Sequence, residues 1–459
     1  MIHAKVGFVV YGVHKDGLKD PMGDLFIDYG IIERSKQALR DSGLELVEND
    51  LIVATKEEAK EVILPLAKDD SVDCLVLFSG TWVWSSHMIA AIREYAKTGK
   101  GIVIWTHPGS QGWRTVGGLV LKAALSEIGV KHRFVYGAAE DKEDVDKVVD
   151  YCQASAVKNR INMKTMAAFG GRGMGQTCGV ADASQWMKTF GIDIDTRDTT
   201  ELIRTAQEVT KEELNETYEA LADRFAEPIP DDDVAERSVR LYIALKKIMK
   251  KYDFDFYAIQ SFPGLADDYT ATCFAQSMML EDGVPTATLR DFNTALTSII
   301  MMYLSNDPIY YGDFQNVDKK NNEIKIIGDG AVPPSLGNAR GAHFAQHGIS
   351  TEGGAGGLAV EVVCKAGEGV LSRVCRVDGK FKLIVVRCTV YEPSEDELEA
   401  RRRECGIPFW PHAFVKVHGD IDLLLQHWDN EYACLGYGEQ LYDQIQAFGE
   451  LTDMEVVAL

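Results

Sequence analysis

The first third of the chain alternates short apolar runs with amphipathic stretches. Residues 6–10, 73–78 and 101–105 are apolar runs of the length expected for buried strands. The stretch 31–42 instead shows apolar positions at helical spacing. This alternation is typical of βα units that pack on a parallel sheet.

Two polar loops follow predicted strands. Residues 79–82 read S-G-T-W after one strand, and residues 106–109 read T-H-P-G after the next. Open parallel sheets bind ligands in the loops at the carboxyl ends of their strands. We therefore expect the two loops to face one cleft.

The pattern changes twice further along the chain. A new apolar strand begins near residue 166, which places a boundary near residue 163, and helical spacing follows over 210–226 and 232–252. From about residue 319, strands and glycine-rich turns predominate. We predict an α/β protein with two N-terminal doubly wound, Rossmann-like parallel-sheet domains (1–163 and 164–305) and a mostly β C-terminal domain (306–459). A chain of 459 residues suits about three domains.

Composition narrows the class of protein. Hydrophobic residues make up 46% of the chain and charged residues 26%, as in soluble globular proteins, and the formal net charge of −22 disfavours nucleic acid and anionic lipid as partners. The N-terminus lacks the pattern of a secretory signal, and no apolar run has the length of a membrane span. The nine cysteines form no C-x-x-C pair. These features predict a cytoplasmic protein with reduced thiols.

Residues 170–175 form a glycine-dense turn, G-G-R-G-M-G, after an apolar strand. Such a turn can cradle an anion, admit a substrate to the backbone, or serve only as a tight turn. A dinucleotide-binding fingerprint also requires an acidic residue about 20 positions further on, a role that Asp193 or Asp195 could fill. Nicotinamide binding therefore stays open as an alternative.

The longer segment 169–202 resembles the L-fucose isomerase / L-arabinose isomerase-like family. It includes F-G-G-R-G-M-G, V-A-D, F-G-I-D and D-T-T-E-L, with Gly173 where the family often has serine. Further matches lie at residues 73–84, 258–260 and 410–420. The resemblance implies an aldose–ketose isomerase that acts on a small carbohydrate through an ene-diol, with Mn²⁺ or another divalent cation. It also implies a homo-oligomer, commonly a hexamer.

The resemblance implies a metal site of one glutamate, one aspartate and one histidine. The aspartate matches Asp313 and the histidine matches His412, but Leu289 stands at the glutamate position. Leucine cannot bind metal or accept a proton, so Asp329 or Asp291 would have to supply the missing carboxylate. Each of these residues could instead have a structural role, as a turn or helix cap or in packing.

Other side chains suit a sugar pocket. Arg290 and Arg172 could neutralise an anionic group on the substrate, unless they pair with surface acids. Trp84, Gln260 and His343 offer an aromatic face and hydrogen-bonding groups for hydroxyls.

The leucine at position 289, where the family has a metal-binding glutamate, leaves three possible functions. The first is a metal-dependent isomerase with an altered carboxylate set. The second is a different enzyme, a lyase or epimerase, that acts on an anionic sugar. The third is a sugar-binding protein without catalysis.

Overall fold

A computed structural model describes residues 2–13, 27–109, 113–347, 354–404 and 409–459. The chain divides into two compact units. The first runs to Arg160 and includes Glu450–Thr452, and the second contains Ile161–Gly449 and Asp453–Leu459.

The described part of the first unit contains a five-stranded parallel sheet in the order β2-β1-β3-β4-β5. Its strands are β1 (Lys5–Tyr11), β2 (Glu45–Glu48), β3 (Cys74–Ser79), β4 (Gly101–Thr106) and β5 (Arg133–Tyr136). Its helices are α1 (Tyr29–Asp41), α2 (Lys56–Lys68), α3 (Ser85–Ala96), α4 (Arg114–Glu127) and α5 (Lys142–Ile161). This strand order is that of flavodoxin-like sheets, whose ligands bind between β1 and β3.

The strands and helices of the first unit follow from local sequence. Every residue of β3 and β4 is buried, as expected for central strands covered on both faces. Helix α2 begins with a capping box, in which the Thr55 hydroxyl accepts from the Glu58 amide and the Glu58 carboxylate accepts from the Thr55 amide. The predicted strands at 6–10, 73–78 and 101–105 are confirmed to within one residue.

The second unit begins with a four-stranded parallel sheet in the order β7-β6-β8-β9. Its strands are β6 (Thr165–Phe169), β7 (Asp193–Arg197), β8 (Phe256–Ile259) and β9 (Thr286–Ala287). The accompanying helices are α6 (Ala183–Phe190), α7 (Thr199–Gln207), α8 (Lys211–Leu221), α9 (Asp233–Tyr252), α10 (Ala266–Asp268), α11 (Cys273–Glu281) and α12 (Phe292–Ser305).

The last third of the chain forms a seven-stranded mixed sheet in the order β14-β17-β10-β11-β16-β15-β18. Its strands are β10 (Tyr310–Asp318), β11 (Glu323–Ile327), β14 (Gly367–Val377), β15 (Lys380–Tyr391), β16 (His412–Val417), β17 (Tyr432–Tyr437) and β18 (Glu455–Ala458). Strands β12 (His343–Gln346) and β13 (Leu358–Glu361) form a separate pair, and the helices are α13 (Glu395–Arg403), α14 (Ile421–His427) and α15 (Leu441–Leu451). Because β14 also pairs with β15, six strands of the sheet close into a ring.

The predicted α/β class is confirmed: the structure contains two parallel sheets, and the last third of the chain is mostly strand and contains a mixed sheet. The division into three domains at residues 163 and 305 stays a prediction. Over the ranges that the structure describes, no helix has the length and apolar character needed to cross a membrane.

Candidate active site

Asp313 and His412 lie on the same face of the mixed sheet. In the antiparallel ladder, Asp313 of β10 is opposite Ile327 of β11, and Ile327 is opposite His412 of β16. Directly opposed residues on antiparallel strands project to the same side. With neighbouring strands about 4.8 Å apart, the two backbones are about 10 Å apart. Strand register thus places the two predicted metal ligands in one row.

Asp329 lies in the turn that follows β11. Its carbonyl oxygen accepts a hydrogen bond from the Cys273 Sγ at 2.8 Å, which fixes the turn against α11. Its buried Oδ1 atom has no hydrogen-bond partner among the described residues. Burial raises the pKa of Asp329, while the nearby Thr288 hydroxyl and the His347 ring act in the opposite direction. The turn therefore carries a buried carboxyl group with one oxygen that has no partner among the described residues.

The Asp313 carboxyl group is poised near neutral pH. Burial raises its pKa to about 7, and the negative charges of Asp329 and Glu431 contribute to the increase. Asp313 and Asp329 thus influence one another electrostatically. An enzyme that must both remove and return a proton at neutral pH needs carboxyl groups of this kind.

His412 is a fully buried, neutral imidazole. Its Nδ1 lies 2.5 Å from the Trp410 carbonyl oxygen, which can only accept, so this nitrogen carries the proton. Burial, with the charges of Arg402 and Lys325, lowers the pKa of His412 to about 3. Its buried Nε2 has no hydrogen bond of good geometry in the described part of the chain, and the Arg402 backbone is close enough to influence the pKa of the ring. A neutral ring with a free Nε2 and an anchored Nδ1 is the form in which histidine binds metals.

The glycine-dense turn packs against this site. Gln176, just beyond the turn, donates a hydrogen bond from its Nε2 to the Glu431 carboxylate. A Cβ on Gly173 would lie only 2.2 Å from the Leu289 carbonyl oxygen. A serine at this position, which the resemblance implies, would collide with that backbone. Gly173 is therefore required by the close approach of the Leu289 turn.

Leu289 and Arg290 occupy consecutive left-handed conformations, with φ of 52° and 56°. Left-handed backbone is unfavourable for residues other than glycine, and such strain concentrates at functional sites. The preceding residue is Thr288, whose hydroxyl influences Asp329. The turn that carries Leu289 at the predicted glutamate position therefore lies next to the carboxylate predicted to replace it.

Arg290 is half-buried and has no acidic partner within the described ranges. Its Nη2 donates to the Thr196 hydroxyl at 3.3 Å, its guanidinium lies 4.9 Å from the centre of the Phe292 ring, and its buried Nε has no partner. Burial alone lowers the pKa of Arg290, because no carboxylate compensates for the lost hydration. A partly desolvated guanidinium with a spare donor is suited to bind an anionic group.

Asp291 is held in a buried ion pair. Its Oδ2 accepts from Arg373 Nη2 at 2.7 Å, and its Oδ1 accepts from the Thr294 amide at 3.0 Å to cap α12. Asp291 is 0% exposed and Arg373 is 1% exposed. Both carboxylate oxygens thus have structural partners. A catalytic role for Asp291 stays a prediction, as do the roles proposed for the other site residues.

The predicted sugar-binding residues have different local surroundings. Gln260 accepts a hydrogen bond from the Gly171 amide at 2.7 Å, so it supports the glycine-dense turn. Arg172 is exposed on that turn. His343 lies 3.0 Å from the Arg340 carbonyl oxygen and 3.6 Å from the Glu227 carboxylate. Trp84 belongs to the first unit and is 58% exposed.

The glycine-dense turn does not have the geometry of a dinucleotide-binding loop. In that motif the glycines lead directly into an α-helix. Here the residues Gly173–Gly175 form a short 3-10 turn, and the next helix begins only at Ala183. Asp195 is paired with Arg197 at 2.6 Å. The nicotinamide alternative therefore has no support from the fold.

Glu431 and Arg373 are site residues that sequence reasoning missed. Glu431 lies at the end of a polar loop immediately before β17. It comes close to Asp313 because β17 pairs with β10, and this pairing cannot be read from the sequence. Arg373 gave a clearer signal, because it lies among the apolar residues of a strand, and an arginine buried among them requires a counter-ion.

The donor atoms near Asp313 are chemically suited to a divalent cation. Two carboxylates and a neutral imidazole are ligands that manganese accepts. Within the described ranges, however, no three histidine, cysteine or acidic side chains are gathered closely enough to hold a metal ion. These residues therefore suit a divalent cation in the chemistry of their donor atoms, and Asp313 and His412 share one face of the sheet, but the side chains are not gathered around one point.

Comparison with known proteins adds one informative match. The chain resembles a sulfoquinovose isomerase. That protein, from Clostridium sp. (strain MSTE9), is 26% identical over 306 residues, which are 63% of this chain and 67% of the relative. No protein-family model matches the chain.

Two solved structures show only weak likeness. An ABC transporter periplasmic solute-binding protein from Actinobacillus succinogenes 130z, with bound D-allose, is 14% identical, covering 66% of this chain and 92% of that one, with a TM-score of 0.18. The glucose-galactose binding protein GanP from Geobacillus stearothermophilus is 11% identical, covering 67% and 93%, with a TM-score of 0.17. At these TM-scores neither structure carries an argument.

Proposed function

We propose that this chain is an aldose–ketose isomerase whose substrate is a sugar with an anionic group. The similarity to a sulfoquinovose isomerase supports a sugar isomerase in general terms. The observation that carries the proposal is the pair of carboxyl groups, Asp313 and Asp329, that interact electrostatically, with His412 on the same face of the sheet as Asp313. The narrower assignment to the L-fucose isomerase type, the oligomeric state and the cytoplasmic location stay predictions.

Isomerisation of an aldose moves one proton between C2 and C1 and another between the two oxygens. In this proposal, the ionised member of the Asp313–Asp329 pair removes the proton from C2. The protonated member supplies a proton to the aldehyde oxygen, which gives the ene-diol. With the roles exchanged, the first group then delivers its proton to C1 and the second takes the proton from the C2 hydroxyl, which gives the ketose. Two carboxyl groups that repel one another cannot both ionise readily, and the charge of Asp329 contributes to the raised pKa of Asp313, about 7. Leu289 takes no part in proton transfer.

A divalent cation, Mn²⁺ by preference, completes the proposal. Asp313 and His412 would hold it, with the free Oδ1 of Asp329 as a further donor. When bound, the cation would polarise the two substrate oxygens. The Trp410 carbonyl holds the His412 ring in the tautomer that this role requires.

Removal of the His412 imidazole tests the metal. We expect the wild-type protein to bind about one Mn²⁺ per chain, and His412→Ala to bind it at least about tenfold more weakly, because a ligand is lost. The measurement is isothermal titration of chelator-treated protein, with the Mn²⁺-dependent rise in melting temperature as a second readout. His418→Ala, at the exposed end of the same strand, is the matched control. Wild-type protein without saturable Mn²⁺ binding would contradict the metal proposal.

Arg290 is proposed to bind the anionic group of the substrate. Its guanidinium has no acidic partner among the residues described, and its spare Nε is buried, so an incoming sulfonate would meet little competition. Without a bound anion, a half-buried cation that lacks a counter-ion destabilises the folded protein. This observation favours a charged sugar over a neutral one.

The substitution Arg290→Met tests this role. We expect kcat/KM for sulfoquinovose to fall by roughly 10- to 100-fold, the worth of a charge-assisted hydrogen bond or two. The value for the same sugar without its sulfonate should change much less. Arg204→Met, an exposed arginine on α7, serves as the control. An equal loss on both sugars would mean that Arg290 has only a structural role.

A lyase or epimerase that acts on an anionic sugar is the second candidate. It is favoured by the same unpaired Arg290, since the charge of the substrate does not fix the reaction. Nuclear magnetic resonance of the product distinguishes the two. A ketose formed from an aldose supports the isomerase, whereas cleavage or an inverted carbon supports the alternative.

A further inference from the structure

The first unit contains a buried arginine that lacks partners. Arg114, the first residue of α4, is 5% exposed. Its Nε and Nη1 atoms have no hydrogen-bond partner, and no carboxylate is within ion-pair distance, among the residues that the structure describes. A buried cation without a direct counter-ion is unfavourable, because the charge has lost its hydration. Folding retains it nonetheless, which points to a bound partner.

The start of α4 lies at the carboxyl edge of the parallel sheet. The Ser79 hydroxyl, at the end of β3, donates to the Arg114 carbonyl oxygen at 2.8 Å. A Cβ on Gly117 would lie 2.5 Å from the Thr81 carbonyl oxygen, so the helix packs directly on the loop after β3. A Cβ on Gly109 would lie 2.3 Å from Arg114 Nη2. The guanidinium therefore lies against Gly109, just after β4, while the backbone of the helix start packs on the loop after β3.

The first turn of α4 receives no hydrogen bond from the side chain of its capping residue. Trp113 occupies the capping position in a left-handed conformation, with φ of 53°, and its side chain gives no capping hydrogen bond. The first amides of a helix have no partner within the helix and carry a partial positive charge. The Arg114 side chain and the first backbone amides of α4 are thus hydrogen-bond donors that belong to neighbouring residues.

The nearby negative charges are already engaged. Asp28 acts electrostatically on Arg114, but its Oδ1 accepts from the Ile31 amide at 3.1 Å and caps α1. Glu140 is bound by Arg34 at 2.6 Å and lies 3.0 Å from His107 Nε2. Neither carboxylate neutralises the Arg114 guanidinium by direct contact.

We propose that Arg114 and the first turn of α4 form a binding site for a tetrahedral oxyanion, either a phosphate or a sulfate or sulfonate group. The planar guanidinium presents its N–H groups in the fork that such oxygens match, and the helix start adds backbone donors. The site lies at the carboxyl edge of the parallel sheet, the edge at which open α/β sheets bind ligands. It is independent of the isomerase proposal, because it rests on the first unit alone and is tested by binding.

The test is isothermal titration of the full chain, in buffer free of oxyanions, with inorganic phosphate, inorganic sulfate, methyl phosphate and methanesulfonate. We expect one saturable site per chain for at least one of these probes. Tighter binding of the organic probes would identify the oxyanion as part of a small molecule. Binding of the inorganic ions alone would identify a free ion. No saturable binding by any probe would overturn the proposal.

Variants connect the binding to Arg114. We expect Arg114→Gln to weaken it at least about tenfold, because a charge-assisted donor pair is lost. Arg93→Gln, an exposed arginine on α3, should leave it unchanged. If Arg114→Gln does not fold, Arg114→Lys decides: it keeps the charge without the fork and should weaken binding severalfold. Binding that is unaffected in a folded Arg114 variant would place the anion elsewhere.

Discussion

Asp313→Asn will abolish turnover and, at pH 8, raise the melting temperature of the metal-free protein. Both effects come from the ionisable carboxyl group: turnover needs it to exchange a proton, and the fold is destabilised by its negative charge at pH 8. Burial and the charges of Asp329 and Glu431 raise the pKa of Asp313 to about 7, well above the ordinary value of an aspartate. Asparagine has nearly the same shape but carries no charge and cannot exchange a proton.

The direction of the pH dependence follows from this pKa. Because the folded protein holds the Asp313 proton more tightly than the unfolded chain, Asp313 lowers the stability as pH rises from about 4 to above 7. The loss is on the order of a few kcal/mol, which corresponds to a few degrees in melting temperature. Asp313→Asn removes this contribution, so its melting temperature should exceed that of the wild type at pH 8 and match it near pH 4.

The experiment combines scanning fluorimetry in chelator at pH 4.5, 6 and 8 with a turnover assay. Asp307→Asn, an exposed aspartate just before β10, controls for a general effect of removing negative charge from an acidic protein. A variant that retains turnover would exclude Asp313 from the chemistry. A variant that melts below the wild type at pH 8 would show that the carboxylate stabilises the fold.

Much of the architecture could be predicted because buried strands leave a simple signature. Strands β3 and β4 are buried at every position, and such continuous apolar runs are visible in the sequence. The mostly strand character of the last third was equally visible in its alternating residues and glycine turns. The closure of six strands into a ring was not, because it depends on pairings between β14 and strands far along the chain.

The candidate site was predictable only in part. Asp313 and His412 were matched through a resemblance, but only the register of β10, β11 and β16 shows that they share a face. The left-handed turn at Leu289 and Arg290 had no signal, since neither residue favours that backbone. Which carboxylate compensates for Leu289 also depends on contacts, and the structure gives Asp329 and Asp291 very different surroundings.

Arg373→Met will strongly destabilise the folded protein. Arg373 donates to Asp291 at 2.7 Å, to the Thr294 hydroxyl, and to the Tyr432 carbonyl at 3.4 Å, and both charges of the pair are almost fully buried. Removing one partner leaves the Asp291 carboxylate buried without compensation. Broken buried ion pairs typically cost about 3–5 kcal/mol. Calorimetry of the intact chain measures the loss, and Arg376→Met, exposed on the same strand, is the matched control.

The double variant Arg373→Met/Asp291→Asn separates stability from catalysis. It removes both charges and leaves no uncompensated carboxylate, and asparagine can still cap α12, so it should be more stable than Arg373→Met alone. If Asp329 replaces the missing glutamate, the folded double variant should turn over substrate at close to the wild-type rate. If Asp291 is the proton-transferring group, the double variant will be folded but inactive, and the assignment of the second carboxylate must move to Asp291.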